Sequence, residues 1–260
     1  MIFVNEIKIF FASVAFLSRI PVPLSPEFIK SIQHKTPRYY PYAGILIGGI
    51  SSAIYLLLVQ MFSHNISLLL SIASVIFVTG AFHEDGLMDF ADGFGGGYGK
   101  EDILRIMKDP HTGTYGTVAI ILALSIKYSV LSEMDPAVIP FVFIYAHSLS
   151  RFLAVSIIPF MDYARSSGKS SFLSGRMKYT HLIFAFTAVL IPVILFQKII
   201  FIMIVPVMFL PVLSFFFYIK RKIGGYTGDC LGALQQISEI LIYASVHALI
   251  FILEERNLSF

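Results

Sequence analysis

Seven of the chain's sixteen acidic residues lie in one glycine-rich segment, residues 83–115. If this segment begins as a helix, Asp85, Asp89 and Asp92 project within an arc of about 60°, because an α-helix turns by about 100° per residue. Carboxylates that share one face repel each other, and a bound cation relieves that repulsion. Oxygen ligands suit Mg²⁺ or Mn²⁺, and Mg²⁺ commonly leaves coordination positions for phosphate oxygens. The stripe therefore predicts a Mg²⁺ site, with Mn²⁺ as the alternative, that acts on a diphosphate.

Two residues beside this stripe are further candidates. Glu84 directly precedes Asp85 and is a candidate metal ligand. His83 precedes the acidic segment and is a candidate general base. A histidine at a helix end that only hydrogen-bonds to a carboxylate gives the same pattern, so both interpretations stay open. No pair of histidines has the spacing of a zinc site.

Basic residues near the acidic segment are candidate phosphate ligands. The short amphipathic segment 100–109 places Arg105 and Lys108 close to Asp109. These cations either bind substrate phosphates or pair with neighbouring aspartates and lipid headgroups. Arg151 lies within an apolar stretch, where an unpaired charge is costly. It is therefore expected to face a substrate phosphate or an acidic partner.

A second glycine-rich segment, residues 224–229, reads Gly-Gly-Tyr-Thr-Gly-Asp. Three glycines let the backbone approach a ligand closely, and a helix that starts beyond Asp229 would direct its N-terminal dipole at an anion. The alternative is a tight turn between helices. The candidate phosphate-binding residues here are Gly225, Thr227, Gly228 and Asp229. The glycines of residues 93–99 lack the spacing of a phosphate loop and are expected to end the helix that carries the aspartates.

The composition indicates the elements that must position these residues. The chain is 57% hydrophobic and 13% charged, with a mean hydropathy of +0.80, which is typical of polytopic membrane proteins and excludes a soluble domain. A net charge of +3 is too small to indicate a nucleic-acid partner. One cysteine, Cys230, excludes an internal disulfide.

The predicted fold is all-α: a single polytopic helical bundle over residues 1–260, embedded in the lipid bilayer. Seven apolar segments are long enough to cross the hydrocarbon, at residues 42–62, 66–83, 113–132, 137–160, 182–197, 199–219 and 237–253. The amphipathic segment Phe3 to Ile20 either lies in the interface, which its charges favour, or forms a short membrane helix. It is expected to be retained, because no basic region precedes it and no small-residue cleavage site follows.

The distribution of basic residues predicts the orientation. Fifteen of the nineteen Lys and Arg residues fall in residues 1–41 and in three polar loops, 84–112, 161–181 and 220–236. The positive-inside rule then places the N-terminus and these loops in the cytoplasm and the C-terminus outside, in the cytoplasmic membrane. One active site facing the cytoplasm is expected where the three loops meet.

These segments also carry a resemblance to a known family. The stretches that carry it are LSRIPVP (17–23), YPYAGILIGG (40–49), FHEDGLMDFADGFGGG (82–97), ILRIMKDPHTGTYG (103–116), LSRF (149–152), YAR (163–165) and GGYTGDCLGA (224–233). In these stretches the chain resembles the cobalamin synthase family, also called adenosylcobinamide-GDP ribazoletransferase. It departs from the commonest family pattern at Glu84, where Leu is usual, and at Pro110, where Ser is usual.

The resemblance implies a Mg²⁺-assisted transfer from adenosylcobinamide-GDP to α-ribazole or its 5′-phosphate, with release of GMP. It implies that Asp85, Asp89 and Asp92 hold the metal, with a further contact from Asp229 or Asp109. The proton of the attacking hydroxyl would pass to His83 or to an aspartate that is not fully engaged by metal, with Asp92 and Asp109 as candidates. The residues that would bind phosphates are Arg105, Lys108, Arg151 and Arg165.

Other classes of protein remain open on the sequence. The aspartate spacing is similar to that of membrane CDP-alcohol phosphotransferases and prenyltransferases, although the Ala-Arg that follows Asp-Gly in the former is missing. A transporter would be expected to carry ionisable residues in mid-span and internal repeats, and no repeat is evident. Whether the acceptor carries a phosphate stays open. Aromatic membrane faces permit a homo-oligomer.

Overall fold

Helices make up the chain that the computed structural model describes, which is residues 2–165, 177–196 and 199–255. No β-strand forms in these ranges, apart from a single backbone bridge between Tyr163 and Tyr226. Short 3₁₀ helices cover Gln33–Tyr39 and Ile158–Phe160. The α-helices are α1 (Ile2–Leu17), α2 (Pro26–Ile32), α3 (Tyr40–Leu58), α4 (His64–Thr79), α5 (Phe82–Gly96), α6 (Lys100–Ile106), α7 (Thr114–Ser132), α8 (Ile139–Ser156), α9 (Tyr179–Phe196), α10 (Ile199–Val207), α11 (Phe209–Ile223) and α12 (Gly228–Glu255).

The predicted all-α membrane bundle is confirmed. Six segments of the described residues are long and apolar enough to cross a membrane, and the bent pair α4 and α5 is a possible seventh. They overlap the seven predicted spans. The six are Pro26–Leu58, Thr114–Ser132, Ile139–Phe160, Tyr179–Phe196, Ile200–Ile223 and Gly228–Leu253.

Helix α1 is not among these candidate spans. It packs on the bundle through buried residues such as Ile9 and Leu17. Glu6 also pairs with Arg38 at 2.7 Å, which ties α1 to the 3₁₀ helix that precedes α3. Its position in the membrane interface stays a prediction.

Two predicted boundaries are wrong. The predicted span 66–83 ends at Thr79, because Gly80 and Ala81 both adopt left-handed backbone angles and turn the chain by 86°. Helix α12 begins at Gly228, before Asp229 rather than beyond it. The prediction that the glycines of residues 93–99 end the helix carrying the aspartates is confirmed, because α5 ends at Gly96 and Gly97 has extended backbone angles.

Close contact between α3 and α8 fixes the centre of the bundle. A Cβ atom on Gly44 or Gly48 would overlap the backbone of α8 at His147 or at Phe143 and Ile144. Small residues four positions apart are typical of tightly packed membrane helices. This crossing holds the part of α8 that carries Arg151.

The α3–α8 crossing predicts that the same substitution has different effects on stability at two adjacent glycines. Gly48→Ala is expected to destabilise the protein by about 1–3 kcal/mol, because the added methyl meets backbone that cannot rotate away. Gly49→Ala is the matched control, since a Cβ there meets nothing within 4 Å. Thermal unfolding of both variants in one detergent measures the difference. Equal unfolding midpoints would contradict the packing described.

Candidate functional site

An open cleft of about 220 Å³ brings the three polar segments together. Asp85 and Asp89 of α5 line one wall, and Asp229 at the start of α12 lines another. Lys108 and Arg165 contribute the positive charges. The other lining residues are Phe82, Gly86, Met107, Tyr163 and Gly228. Carboxylates and cations around one cavity are the groups that a metal-assisted reaction of a phosphate ester requires.

The contact between α5 and α12 positions the carboxylates. A Cβ atom on Gly86 would lie 3.2 Å from the Asp229 carbonyl oxygen and 3.2 Å from the Gly232 Cα. The two helices therefore touch backbone to backbone at this point. Asp229 is placed against the turn of α5 between Asp85 and Asp89.

Arg165 joins the cleft through two contacts. Its Nη1 lies 2.8 Å from Oδ2 of Asp229, and its Nη2 donates to the Met107 carbonyl at 3.3 Å. The preceding residues are fixed because the Ala164 amide donates to the Tyr226 carbonyl and the Tyr226 amide donates to the Asp162 carbonyl. The guanidinium therefore ties the segment after α6 to the start of α12.

Tyr163 lines the cleft beside Arg165, and no sequence pattern singled it out. Its place in the YAR stretch before Arg165 was the available signal. Burial raises the pKa of its hydroxyl above the usual range, which keeps the group a neutral hydrogen-bond donor.

The segment 224–229 shapes the cleft more than it lines it. Gly224 ends α11 in the left-handed conformation, with φ of 72°. Gly225 packs against the Asp162 carbonyl and Ala164, where a side chain would not fit. Thr227 caps α12, because its hydroxyl accepts from the Cys230 amide at 3.2 Å. The predicted set is thus divided: Gly228 and Asp229 line the cleft, and Gly225 and Thr227 do not.

Glu84 and Asp92 lie apart from the cleft. Both oxygens of Asp92 accept backbone hydrogen bonds, from Gly113 at 2.7 Å and from Gly116 at 2.8 Å. This carboxylate therefore caps the start of α7. Glu84 is buried on another face of α5, where its Oε1 accepts from Gln236 at 3.1 Å. The structure does not bring the four predicted metal ligands together.

His83 and Arg151 line a second, much smaller cavity of about 20 Å³ that shares Phe82 and Gly228 with the cleft. Neither ring nitrogen of His83 has a hydrogen-bond partner in the described part of the chain. Arg151 donates to the His147 carbonyl at 3.0 Å. Both residues therefore lie behind the cleft rather than in its wall.

Arg105 and Asp109 are on the surface. Arg105 pairs with Asp102 one turn earlier in α6. Asp109 accepts from the His111 amide at 3.0 Å, and this hydrogen bond lowers the pKa of its carboxyl. A lowered pKa makes Asp109 a weaker base. Of the predicted cations on this segment, Lys108 is the one that lines the cleft.

The carboxylates of the cleft offer oxygen ligands alone, which fits Mg²⁺ or Mn²⁺. Over residues 2–165, 177–196 and 199–255, no three His, Cys, Asp or Glu side chains lie close enough together to hold an ion by themselves. A Mg²⁺ ion bound here would therefore use fewer protein carboxylates and take its other ligands from water and phosphate, as this ion commonly does.

Comparisons with known proteins give a consistent result. The family model described as Cobalamin-5-phosphate synthase matches residues 9–247. A relative from Ralstonia pickettii, named adenosylcobinamide-GDP ribazoletransferase, is 39% identical over 233 residues, which is 88% of this chain and 91% of the relative. Relatives of the same name from Vibrio cholerae and Shewanella sp. are 39% and 40% identical, over 92% of this chain and 92% and 93% of their own lengths. No solved structure matches the chain.

The two aspartates Asp89 and Asp92 are expected to respond differently to the same substitution. Asp92→Asn should lower the free energy of unfolding by about 1–3 kcal/mol, because an amide NH₂ would face a backbone N–H that the carboxylate now accepts. Asp89→Asn, in the open cleft, should change it by less than about 0.5 kcal/mol. Denaturant unfolding in micelles measures both. A larger loss for Asp89→Asn than for Asp92→Asn would contradict the assigned contacts.

Proposed function

The chain belongs to the cobalamin-5-phosphate synthase family, and from that premise we propose that it joins adenosylcobinamide-GDP to α-ribazole or its 5′-phosphate, with release of GMP. The chain is a membrane-embedded transferase of the final step in cobalamin assembly. The observation that carries the finer proposal is the cleft, where carboxylates from α5 and α12 face Lys108 and Arg165.

Lys108 and Arg165 would bind the diphosphate of the donor. Arg165 is preorganised, because Asp229 holds one side of its guanidinium at 2.8 Å. A planar guanidinium offers several donors to phosphate oxygens, and Lys108 adds a point charge. Together they would stabilise the charge that moves onto the leaving GMP.

Asp85 and Asp89, with Asp229 nearby, would hold Mg²⁺ or Mn²⁺. When bound, this ion would neutralise phosphate charge and help the leaving group depart. The aspartates would orient the diphosphate against Lys108 and Arg165. Glu84 and Asp92 are left out of this proposal because each has other partners.

In the transfer, a hydroxyl oxygen of the acceptor ribose bonds to the phosphorus linked to cobinamide. The bond from that phosphorus to the bridging oxygen breaks, and this oxygen leaves on GMP. The hydroxyl proton passes to His83 or to a free aspartate of the cleft. His83 is a candidate base because its ring nitrogens lack hydrogen-bond partners in the described part of the chain and the cavity that it lines adjoins the cleft, whereas Asp89 lies in the cleft wall itself.

We place the cleft on the cytoplasmic side of the cytoplasmic membrane, with the N-terminus inside. The support is the charge distribution of the sequence and the meeting of its basic loops at one cleft. Both proposed substrates are polar, so a cleft open to the cytoplasm would admit them. Part of the predicted loop 161–181, residues 166–176, lies outside the described residues.

Release of GMP by purified protein tests the reaction. The protein in lipid nanodiscs is given adenosylcobinamide-GDP with and without α-ribazole, or with its 5′-phosphate, and in Mg²⁺ or EDTA. We expect GMP release only with acceptor and Mg²⁺. Folded protein that releases no GMP with either acceptor would refute the proposed substrates, and EDTA-resistant turnover would refute the metal.

Asp89→Asn should reduce turnover by about two to three orders of magnitude, since one electrostatic contact to a transition state contributes roughly 3–4 kcal/mol. Glu101→Gln is the control, because this exposed acidic residue lies outside the cleft. Initial rates of GMP release compare the two. A loss below about tenfold in Asp89→Asn would contradict its role.

Arg165 and Asp229 should act as a unit. Arg165→Gln and Asp229→Asn are each expected to lower kcat/KM by about 10- to 100-fold, as for loss of a charged hydrogen bond. The double variant should lose much less than the product of the two effects, because the groups contact each other. Arg221→Gln, at an exposed position of α11, is the control. Simple multiplication of the two effects would contradict the coupling.

A further inference from the structure

A buried ion pair lies among the apolar helices, away from the cleft. Nζ of Lys127 on α7 is 2.8 Å from Oε1 of Glu239 on α12, and their side chains are 6% and 2% exposed. Nδ1 of His147 on α8 lies 3.3 Å from Oε2 of the same glutamate. The hydroxyl of Tyr243 donates to Glu239 at 3.2 Å.

Two glutamines of α12 extend this network to the neighbouring helices. Gln235 donates to Oε2 of Glu239 at 2.6 Å and to the Ser150 hydroxyl of α8 at 3.0 Å. Gln236 accepts from Lys127 at 3.1 Å and donates to Glu84 of α5 at 3.1 Å. One short stretch of α12 thus binds α5, α7 and α8.

Stability alone is a weak reason for such a network. Replacing a buried ion pair by apolar side chains is often neutral or stabilising, whereas removing one partner leaves an uncompensated charge and costs about 3–5 kcal/mol. The formal charges cancel, because Glu84 and Glu239 are matched by Lys127 and Arg151. Slippage of α12 along its neighbours would separate these charges in an apolar interior. The network therefore favours one register.

That register is the one on which the cleft depends. Gln236 follows Asp229 by seven residues, two turns of helix, so both lie on the same face of α12, about 10 Å apart along its axis. Gly232 lies between them, in contact with Gly86. On α5, Glu84 directly precedes Asp85. The Gln236–Glu84 hydrogen bond and the cleft carboxylates therefore share one helix seam.

We propose that Glu239, Lys127 and Gln236 are positioning residues, which fix α12 against α5 and so hold Asp229 opposite Asp85 and Asp89. None of the three lines the cleft. The proposal rests on the proposed function of the cleft. Loss of the contacts that these three residues make should reduce the rate of the chemical step, because a displacement of about 1 Å can lower a rate by about 10²-fold.

The test compares Lys127→Met, Glu239→Gln and the charge-balanced double variant. We expect each single variant to lower kcat by about tenfold or more while KM for both substrates changes less than about twofold. The double variant should recover much of the rate, because it leaves no unpaired charge. Lys30→Met and Glu27→Gln, at exposed positions of α2, are the matched controls.

A second readout is independent of the reaction. Nitroxide labels at Tyr98, beyond α5, and at Phe251 of α12 report the relation of the two helices, and both side chains are exposed. A narrow distance distribution should broaden or shift in the single variants and return in the double variant. If wild-type protein releases no GMP but the distances behave this way, the proposed function fails and the positioning role stands.

Unchanged kcat and unchanged distances in the single variants, with only a lower unfolding temperature, would overturn the positioning role. Failure of the double variant to recover would also overturn it. If Lys127→Met does not fold, Gln236→Met provides the same test, because it removes the hydrogen bond to Glu84 without leaving an unpaired charge. That variant should shift the distances and lower kcat with KM unchanged.

Discussion

The backbone contact between α5 and α12 determines where the charged groups of the site lie. Because Gly86 and Gly232 have no side chains, the two helices approach closely enough for Asp229 to face the stripe of Asp85 and Asp89. Arg165, in the segment that follows the 3₁₀ helix Ile158–Phe160, pairs with Asp229 at the edge of the cleft. A Cβ atom at Gly86 would lie 3.2 Å from backbone atoms of α12, so a side chain there would require the two helices to move apart by a few tenths of an ångström.

The apolar surroundings strengthen the electrostatic interactions of the charged groups and restrict how the helices can be arranged. Large apolar side chains such as Leu57 and Phe77 are exposed on the outside of the bundle, as expected for helices that face lipid. Charged groups in the buried network around Glu239, and to a smaller extent those of the open cleft, interact more strongly than they would in water. An unpaired charge in either place is costly, so each helix is restricted to the arrangement that pairs them.

The sequence predicts the spans and the aspartate stripe well, because both depend on local composition and helical period. It does not predict which partner each polar residue finds. Asp92 belongs to the stripe by angle, yet its partner is the start of α7, 21 residues away. Glu84 is adjacent to Asp85 in the sequence, but its carboxylate accepts a hydrogen bond from Gln236 of α12. The end of α5 at Gly96 is indicated by its glycines, whereas the bend at Gly80 and Ala81 is not, because a non-glycine residue such as Ala81 rarely adopts left-handed backbone angles.

We propose that carboxylates of α5 and α12 form one site for a metal ion and a diphosphate. Electron paramagnetic resonance of Mn²⁺ titrated into the purified protein tests it directly, with and without adenosylcobinamide-GDP. We predict that wild-type protein binds Mn²⁺, that the donor changes the signal of the bound ion, and that Asp89→Asn and Asp229→Asn each weaken this binding. Mn²⁺ binding that neither substitution alters, or that the donor leaves unchanged, would contradict the claim.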